Sequence, residues 1–130
     1  MNFRSLYEHG FARVASCTGR IAIADPPANA HVVLRLAREC AEDGVALALF
    51  PEMNLVGYSI EDLVLQDAVL DAAEAAVETV VAGSADLPTA IVFGTPLRHR
   101  NRIYNCAIVV HRGRVLGVVP KSYLPTYREF

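Results

Sequence analysis

The chain has 130 residues, 53% of them hydrophobic, and a mean hydropathy of +0.30, so it has at most the length of one domain and the composition of a packed core. The net charge of −2 and the pI of about 6.0 argue against nucleic-acid or anionic-membrane partners, because the basic residues are scattered and aromatic residues do not interleave with them. No apolar run reaches the roughly 18 residues of a bilayer span, and the N-terminus lacks the apolar region of a signal peptide, so we expect a cytoplasmic protein.

The apolar content is high for a chain of this length. A domain of this size buries roughly two-thirds of its unfolded surface, yet the strand-like runs of this sequence need cover on both faces. We therefore infer that the chain is part of a larger unit.

Cysteine and histidine give no sign of a metal site. Cys17, Cys40 and Cys106 are odd in number and lack C-x-x-C spacing, and the four histidines form no i, i+4 pair. This pattern disfavours both a disulfide framework and a zinc site, and we predict neither a metal nor a cofactor in this segment.

The first half of the chain predicts strand, helix and strand. Residues 1–10 favour a short helix that ends at Gly10, and residues 11–17 favour a first strand. Asp25 followed by two prolines is typical of a helix start, and apolar spacing continues that helix until Asp43-Gly44. Residues 46–50 are all apolar and predict a strand buried on both faces.

The second half predicts a long helix and three more strands. The segment 59–62 resembles a capping box and begins an alanine-rich helix that continues to Val81. A buried strand follows at 89–93, and Gly94-Thr-Pro96 ends it, because proline cannot donate to a strand ladder.

Two strands close the chain. Residues 103–111 and 114–119 form a hairpin around Arg112-Gly113. The basic cluster 98–102 favours a solvated hairpin loop over a phosphate site. The order β-α-β-α-β-β-β predicts an α/β layered sandwich with a mixed sheet.

A carboxylate and an ammonium group each follow a proline that ends an apolar run. Glu52 follows Pro51, and Lys121 follows Pro120. Strand ends carry the chemistry of many α/β enzymes, and we expect surroundings that raise the pKa of Glu52 toward that of a general base. The residues alone leave catalysis and a surface ion pair both open.

The segments 49–58 and 119–130 resemble the glutamate and lysine motifs of the nitrilase, or carbon–nitrogen hydrolase, superfamily. More narrowly, 57–63, 121–127 and 2–11 resemble the glutaminase domains of long bacterial glutamine-dependent NAD⁺ synthetases. The resemblance covers essentially the whole chain and implies a partial αββα four-layer sandwich. Residues 1–130 then form the N-terminal portion of a glutaminase domain, with the nucleophile-bearing strand and the synthetase domain beyond them.

The resemblance implies a Glu-Lys-Cys amide hydrolase that acts on L-glutamine. A cysteine thiolate attacks the side-chain amide, forms a thioester and releases ammonia, which amidates ATP-activated deamido-NAD⁺ in the synthetase domain. Glu52 is then the general base and Lys121 the oxyanion stabiliser. Tyr127 contacts the glutamine, and Tyr58 and Phe130 wall its pocket.

The resemblance also implies what the segment lacks. No cysteine here matches the family's nucleophile, so we expect that residue after Phe130 and expect the segment alone to be inactive toward glutamine. ATP and Mg²⁺ are expected only in the synthetase domain, and the parent protein is expected to be a homo-oligomer.

Several alternatives stay open. The segment fits a free-standing amidase or carbamoylase with the same triad, which the reading frame past Phe130 would reveal. It also fits a non-catalytic remnant with an assembly role, which the native mass would test. Tyr58, Tyr127 and Phe130 equally fit loop aromatics over a sheet edge, Gly57 and Gly94 fit turns, and Cys106 fits a small buried thiol.

Overall fold

The computed structural model describes residues 2–126. Its helices and strands follow the predicted order: β1 (Val14–Ser16), α1 (Pro26–Glu42), β2 (Leu47–Leu49), α2 (Asp67–Gly83), β3 (Ala90–His99), β4 (Arg102–His111) and β5 (Arg114–Pro120). Short 3₁₀ segments cover Tyr7–His9 and Tyr58–Leu65.

The five strands form one sheet in the order β1-β2-β3-β4-β5. The first three strands are parallel, and β4 and β5 add to β3 as antiparallel hairpins. Helices connect the parallel strands because such a pair needs a long crossover. The predicted mixed sheet is therefore confirmed.

Both helices pack against each other and against one face of the sheet. Val33 of α1 and Val80 of α2 belong to one core with Ile91, Phe93 and Ile108 of the central strands, and all five side chains are at most 1% exposed. Burial of each such side chain contributes about 1.5–3 kcal/mol. This shared core fixes the relative positions of the helices and the central strands.

The other face of the sheet is apolar and uncovered by residues 2–126. Its side chains alternate with those of the core, and Val14, Leu49 and Val119 on this face are exposed. The chain thus supplies one helix layer and one sheet layer of the predicted four-layer sandwich.

Local sequence patterns correctly predicted where several helices and strands begin or end. The Asp25 side chain accepts a hydrogen bond from the Ala28 N–H, so it caps α1 as predicted. Arg112 and Gly113 both have positive φ in the β4–β5 turn. The basic cluster forms the β3–β4 hairpin, as predicted, and Arg98 pairs with carboxylates of α2.

The predicted capping box is wrong. Ser59 caps no helix, because Tyr58–Leu65 forms a 3₁₀ segment interrupted at Glu61, and α2 begins only at Asp67. Ile60 and Val64 of this segment are buried beside Ala73 of α2. Tertiary packing of these apolar side chains therefore overrides the local helix signal.

The predicted end of β3 at Gly94-Thr-Pro96 is also wrong, because the strand continues to His99. Pairing of β2 with β3 stops at Leu49 opposite Val92. Beyond that point β3 has a strand neighbour only on its β4 side, where Pro96 stands opposite Asn105. An edge position tolerates the missing N–H of proline.

Replacing the α1 cap should destabilise the fold, whereas replacing the residue of the false capping box should not. We expect Asp25→Ala to lower the free energy of unfolding by about 1 kcal/mol, because the Ala28 N–H loses its acceptor. We expect Ser59→Ala to change it by less than about 0.5 kcal/mol. Urea denaturation of both variants checks this, and equal effects would contradict the assigned cap.

Candidate active site

The loop after β2 presents Glu52, and both of its ends are bonded to β3. The Phe50 N–H donates to the Val92 carbonyl at 2.8 Å, and the Leu55 N–H donates to the Gly94 carbonyl at 3.0 Å. The side chains of Met53 and Leu55 are buried. The position of Glu52 is therefore fixed by the sheet itself.

A buried amide on α1 supports the same loop. Asn29 is completely buried, and its Nδ2 donates to the Leu55 carbonyl at 2.9 Å and to the Ala22 carbonyl at 2.8 Å. Its Oδ1 accepts from the Ala22 N–H. A buried amide with these partners contributes to stability, whereas removing it would leave the backbone groups unsatisfied.

Gly94 lets the Glu52 loop lie directly against β3. A Cβ atom at this position would stand 2.4 Å from the Met53 nitrogen and 2.8 Å from the Pro51 oxygen. Gly94 lies inside the strand, so its interpretation as a turn glycine is wrong. Glycine is required here by close approach of the backbone. Gly57 has a φ of 91° at the start of the 3₁₀ segment, a backbone conformation that favours glycine.

Lys121 reaches Glu52 from the end of β5. Its N–H donates to the Asn105 carbonyl at 2.8 Å, which extends the β4–β5 ladder by one residue past Pro120. Its Nζ donates to Glu52 Oε1 at 2.8 Å. The two charged residues singled out by sequence are thus in direct contact.

The pair lies in a hollow on the uncovered face of the sheet. This hollow has a volume of about 340 Å³ and apolar walls that surround the two charges. A second hollow of about 320 Å³ adjoins it and shares Asn105 and Lys121. The lining of the first hollow comes from β2, β3, β4, β5 and the loops after β2 and β5: Leu49, Phe50, Pro51, Glu52, Val92, Phe93, Gly94, Asn105, Cys106, Ala107, Val119 and Lys121.

The pKa of Glu52 is lowered, not raised as the sequence led us to expect. The hydrogen bond from Lys121 is the largest cause, and a hydrogen bond from Asn105 and the charge of Lys121 act in the same direction. Desolvation is the second-largest cause and acts in the opposite direction, but it does not outweigh these three, because the Glu52 side chain is 38% exposed. Glu52 is therefore an ionised carboxylate at neutral pH, next to an ammonium group.

Asn105 is the site residue that the sequence interpretation missed. Its Nδ2 donates to the same Glu52 oxygen as Lys121 does. The available signal was a single amide side chain in β4, next to Cys106, which pairs with Pro120 at the end of β5. That signal becomes meaningful only once the register of β4 and β5 is known.

Three aromatic residues were assigned to the substrate pocket, and the structure describes one of them, Tyr58. Tyr58 lies at the start of a 3₁₀ segment, is 43% exposed, and does not line either hollow. Tyr127 and Phe130 lie outside the described residues. The roles of all three stay predictions.

Cys17 and Cys106 are poor nucleophiles. Cys106 follows Asn105 in β4 and therefore points to the opposite, helix-covered face, where burial raises its pKa. Burial and a contact with Cys40, at 3.5 Å between the sulfurs, raise the pKa of Cys17 to about 11. Both Cys17 and Cys106 are neutral thiols at physiological pH, whereas attack requires a thiolate.

Residues 2–126 were also compared with the requirements of a metal site and of a membrane-spanning helix. No group of three or more His, Cys, Asp or Glu side chains in this range is placed to hold a metal ion. None of the helices in the same range has the length and apolarity needed to cross a membrane.

The charged glutamate–lysine pair lies in a hollow at the ends of two strands, which is where enzymes of α/β architecture place their sites. Residues 13–130 match the family of carbon–nitrogen hydrolases. The chain belongs to the carbon–nitrogen hydrolase family.

The chain is similar to glutamine-dependent NAD(+) synthetases. It is 65% identical over all 130 residues to the protein of that name from Mycobacterium tuberculosis, of which it covers 19%. The crystal structure of such a synthetase from Cytophaga hutchinsonii matches 88% of this chain and 20% of its own, with 26% identity and a TM-score of 0.81. The chain therefore spans about a fifth of the length of these relatives.

A nitrilase-superfamily amidase from Nesterenkonia has the same fold. It matches 88% of this chain and 45% of its own, with 23% identity and a TM-score of 0.73. These comparisons confirm the resemblance inferred from the motifs and the assignment to a nitrilase-type α/β sandwich.

Removing the lysine should raise the pKa of Glu52. We expect Lys121→Met to shift this pKa upward toward its ordinary value of 4.5, because the largest stabilisation of the carboxylate is lost. Carboxyl ¹³C NMR titration measures the shift. Arg114→Met, at the other end of β5, is the matched control and should leave Glu52 unchanged; an unmoved Glu52 titration in Lys121→Met would contradict the contact.

The Glu52–Lys121 pair should also make the free energy of unfolding depend on pH. Because the folded-state pKa of Glu52 is lowered, its contribution is present above pH 4.5 and is lost as the pH falls through the folded-state value. The contribution is below about 1 kcal/mol, because solvent screens a pair that is one-third exposed. Urea midpoints at neutral and acid pH should differ less in Lys121→Met than in the unaltered protein.

A side chain at Gly94 should displace the Glu52 loop. We expect Gly94→Ala to lower the free energy of unfolding by about 1–3 kcal/mol, because the added methyl group would overlap loop backbone. Gly117→Ala is the matched control, since a Cβ atom there meets nothing within 4 Å. Chemical denaturation compares the two, and equal tolerance of both changes would refute the close approach.

Proposed function

We propose that this chain is the part of a glutaminase domain that carries the general base and the oxyanion-stabilising cation. In the full-length polypeptide, this domain hydrolyses the side-chain amide of L-glutamine and supplies ammonia for ATP-dependent amidation of deamido-NAD⁺. The observation that carries the proposal is the 2.8 Å contact between Lys121 Nζ and Glu52 Oε1 within one hollow. Similarity to glutamine-dependent NAD(+) synthetases supports this substrate over that of a free-standing amidase.

Glu52 acts as the general base in this proposal. It accepts the proton of a cysteine thiol as the sulfur bonds to the amide carbon and the carbonyl becomes an oxyanion. When the tetrahedral intermediate collapses and the C–N bond breaks, Glu52 returns that proton to the departing ammonia, leaving a thioester. Water then hydrolyses the thioester to glutamate.

The lowered pKa of Glu52 is compatible with this role. At rest the carboxylate is ionised and ready to accept a proton. As negative charge develops on the substrate oxygen, Lys121 interacts with that oxygen and stabilises the Glu52 carboxylate less. The same negative charge repels the carboxylate, and both effects increase the proton affinity of Glu52. Glu52 therefore becomes more basic when the thiol attacks the amide.

Lys121 supplies a fixed positive charge for the oxyanion. It is the single lysine among the twelve basic residues of the chain. A compact ammonium group with rotatable donors can serve the carboxylate and a nearby oxyanion at once, whereas the planar guanidinium of arginine suits bidentate pairing. Tyr127 is proposed to contact the glutamine, and Tyr58 and Phe130 to complete the pocket wall.

The remaining parts belong to the rest of the polypeptide. We assign the nucleophilic cysteine to a later strand, in a second sheet that covers the apolar face around Leu49 and Val119. The synthetase domain, with ATP and Mg²⁺, follows in the same polypeptide, and the whole is a cytoplasmic homo-oligomer. Residues 1–130 alone are then inactive toward glutamine.

Glu52→Gln in the full-length polypeptide tests the assignment. We expect glutamine-dependent NAD⁺ formation to fall by about 10²–10⁴-fold, because the amide cannot accept the thiol proton, while formation from added ammonia persists. Glu78→Gln, on the exposed face of α2, is the control and should leave both reactions intact. Equal loss of both reactions in Glu52→Gln would overturn the proposed role.

A further inference from the structure

We infer that Asn105 is a positioning residue, which fixes the orientation of the Glu52 carboxylate so that one oxygen is held and the other faces the reaction. The inference rests on the proposed function, because it concerns how the base of that reaction is aimed.

Asn105 touches both members of the charged pair through different groups. Its side-chain Nδ2 donates to Glu52 Oε1, and its backbone carbonyl accepts from the Lys121 N–H at 2.8 Å. It lies in β4, between β3 and β5, with Pro96 opposite it on one side. Two strand ladders therefore fix its backbone, and the amide is a rigid reference point for the site.

Both donors converge on one carboxylate oxygen. Lys121 Nζ and Asn105 Nδ2 each donate to Oε1, and Oε2 receives no donor from residues 2–126. An ionised carboxylate has acceptor capacity on both oxygens. This arrangement leaves the lone pairs of Oε2 for an incoming thiol proton.

One hydrogen-bond donor alone would not determine which of the two Glu52 carboxylate oxygens is bound. Rotation about the terminal bond of a glutamate side chain is soft and nearly two-fold, so Lys121 alone could hold either oxygen. The neutral amide adds a second, directional contact and keeps it when the ammonium turns toward the oxyanion. Asn105 thus preserves the aim of the base during the step in which Lys121 is shared.

The electrostatic surroundings of Glu52 are simple enough to test this. Within residues 2–126 the charge that acts on Glu52 is that of Lys121, and the thiol of Cys106 lies on the opposite face of β4. The hydrogen bond from Asn105 lowers the Glu52 pKa, so its loss should move the acid limb of the pH profile upward.

The experiment uses the full-length polypeptide and the pH dependence of glutamine hydrolysis. We expect Asn105→Ala to lower kcat by about 10²-fold through misalignment, to change KM little, and to shift the acid limb of kcat/KM to higher pH. Ammonia-dependent synthesis should be unchanged. Val109→Ala, on the same face of β4, is the structural control and should leave the pH profile in place.

Asn105→Asp keeps the shape but replaces the donor by a carboxylate. We expect a kcat loss of similar size and a larger upward shift of the acid limb, because like charge disfavours ionised Glu52. This variant decides the matter if Asn105→Ala does not fold.

The outcomes separate the two proposals. An unchanged kcat and pH profile in the Asn105 variants, with Glu52→Gln inactive, would overturn the positioning role alone. Equal loss of glutamine- and ammonia-dependent activity in both Asn105 variants would also overturn it, since it would indicate a structural defect. Full glutamine hydrolysis by Glu52→Gln would overturn the proposed function itself.

Discussion

The contact between Lys121 and Glu52 is the interaction on which the account of this molecule depends. It joins residues that are 69 positions apart in sequence, and it exists only because β2 and β5 end at the same region of one sheet. Parallel order in β1, β2 and β3, followed by two hairpins, delivers the end of β5 beside the loop after β2. The order and direction of the strands therefore determine the geometry of the site.

The supporting residues keep this contact on rigid elements. Gly94 lets the loop lie on β3, Asn29 ties it to α1, and Asn105 bonds to both charged residues from the neighbouring strand. The site opens on the apolar face that residues 2–126 leave uncovered, so cover by another layer would desolvate the pair. Such cover would strengthen the electrostatic effects that the proposed chemistry uses.

Much of the fold and the two charged site residues could be predicted from the sequence, because the patterns that indicate them lie within short stretches of the chain. Neighbouring residues alone indicate the cap at Asp25 and the hairpin at Arg112-Gly113. The motifs around Glu52 and Lys121 indicate the family. What failed depended on tertiary contacts: burial of Ile60 replaced the expected helix start, and the end of β2 allowed Pro96 inside β3. The direction of the Glu52 pKa and the part played by Asn105 required the register of β4 and β5.

The most direct test is a crystal structure of the full-length polypeptide after reaction with an electrophilic glutamine analogue. The account predicts a covalent bond to a cysteine that lies beyond residue 130, with its sulfur on the uncovered sheet face and within hydrogen-bond distance of Glu52. It also predicts that Lys121 Nζ approaches the oxygen of the former carbonyl group. Covalent attachment at a site remote from this pair, with Glu52 and Lys121 in contact only with each other and solvent, would contradict it.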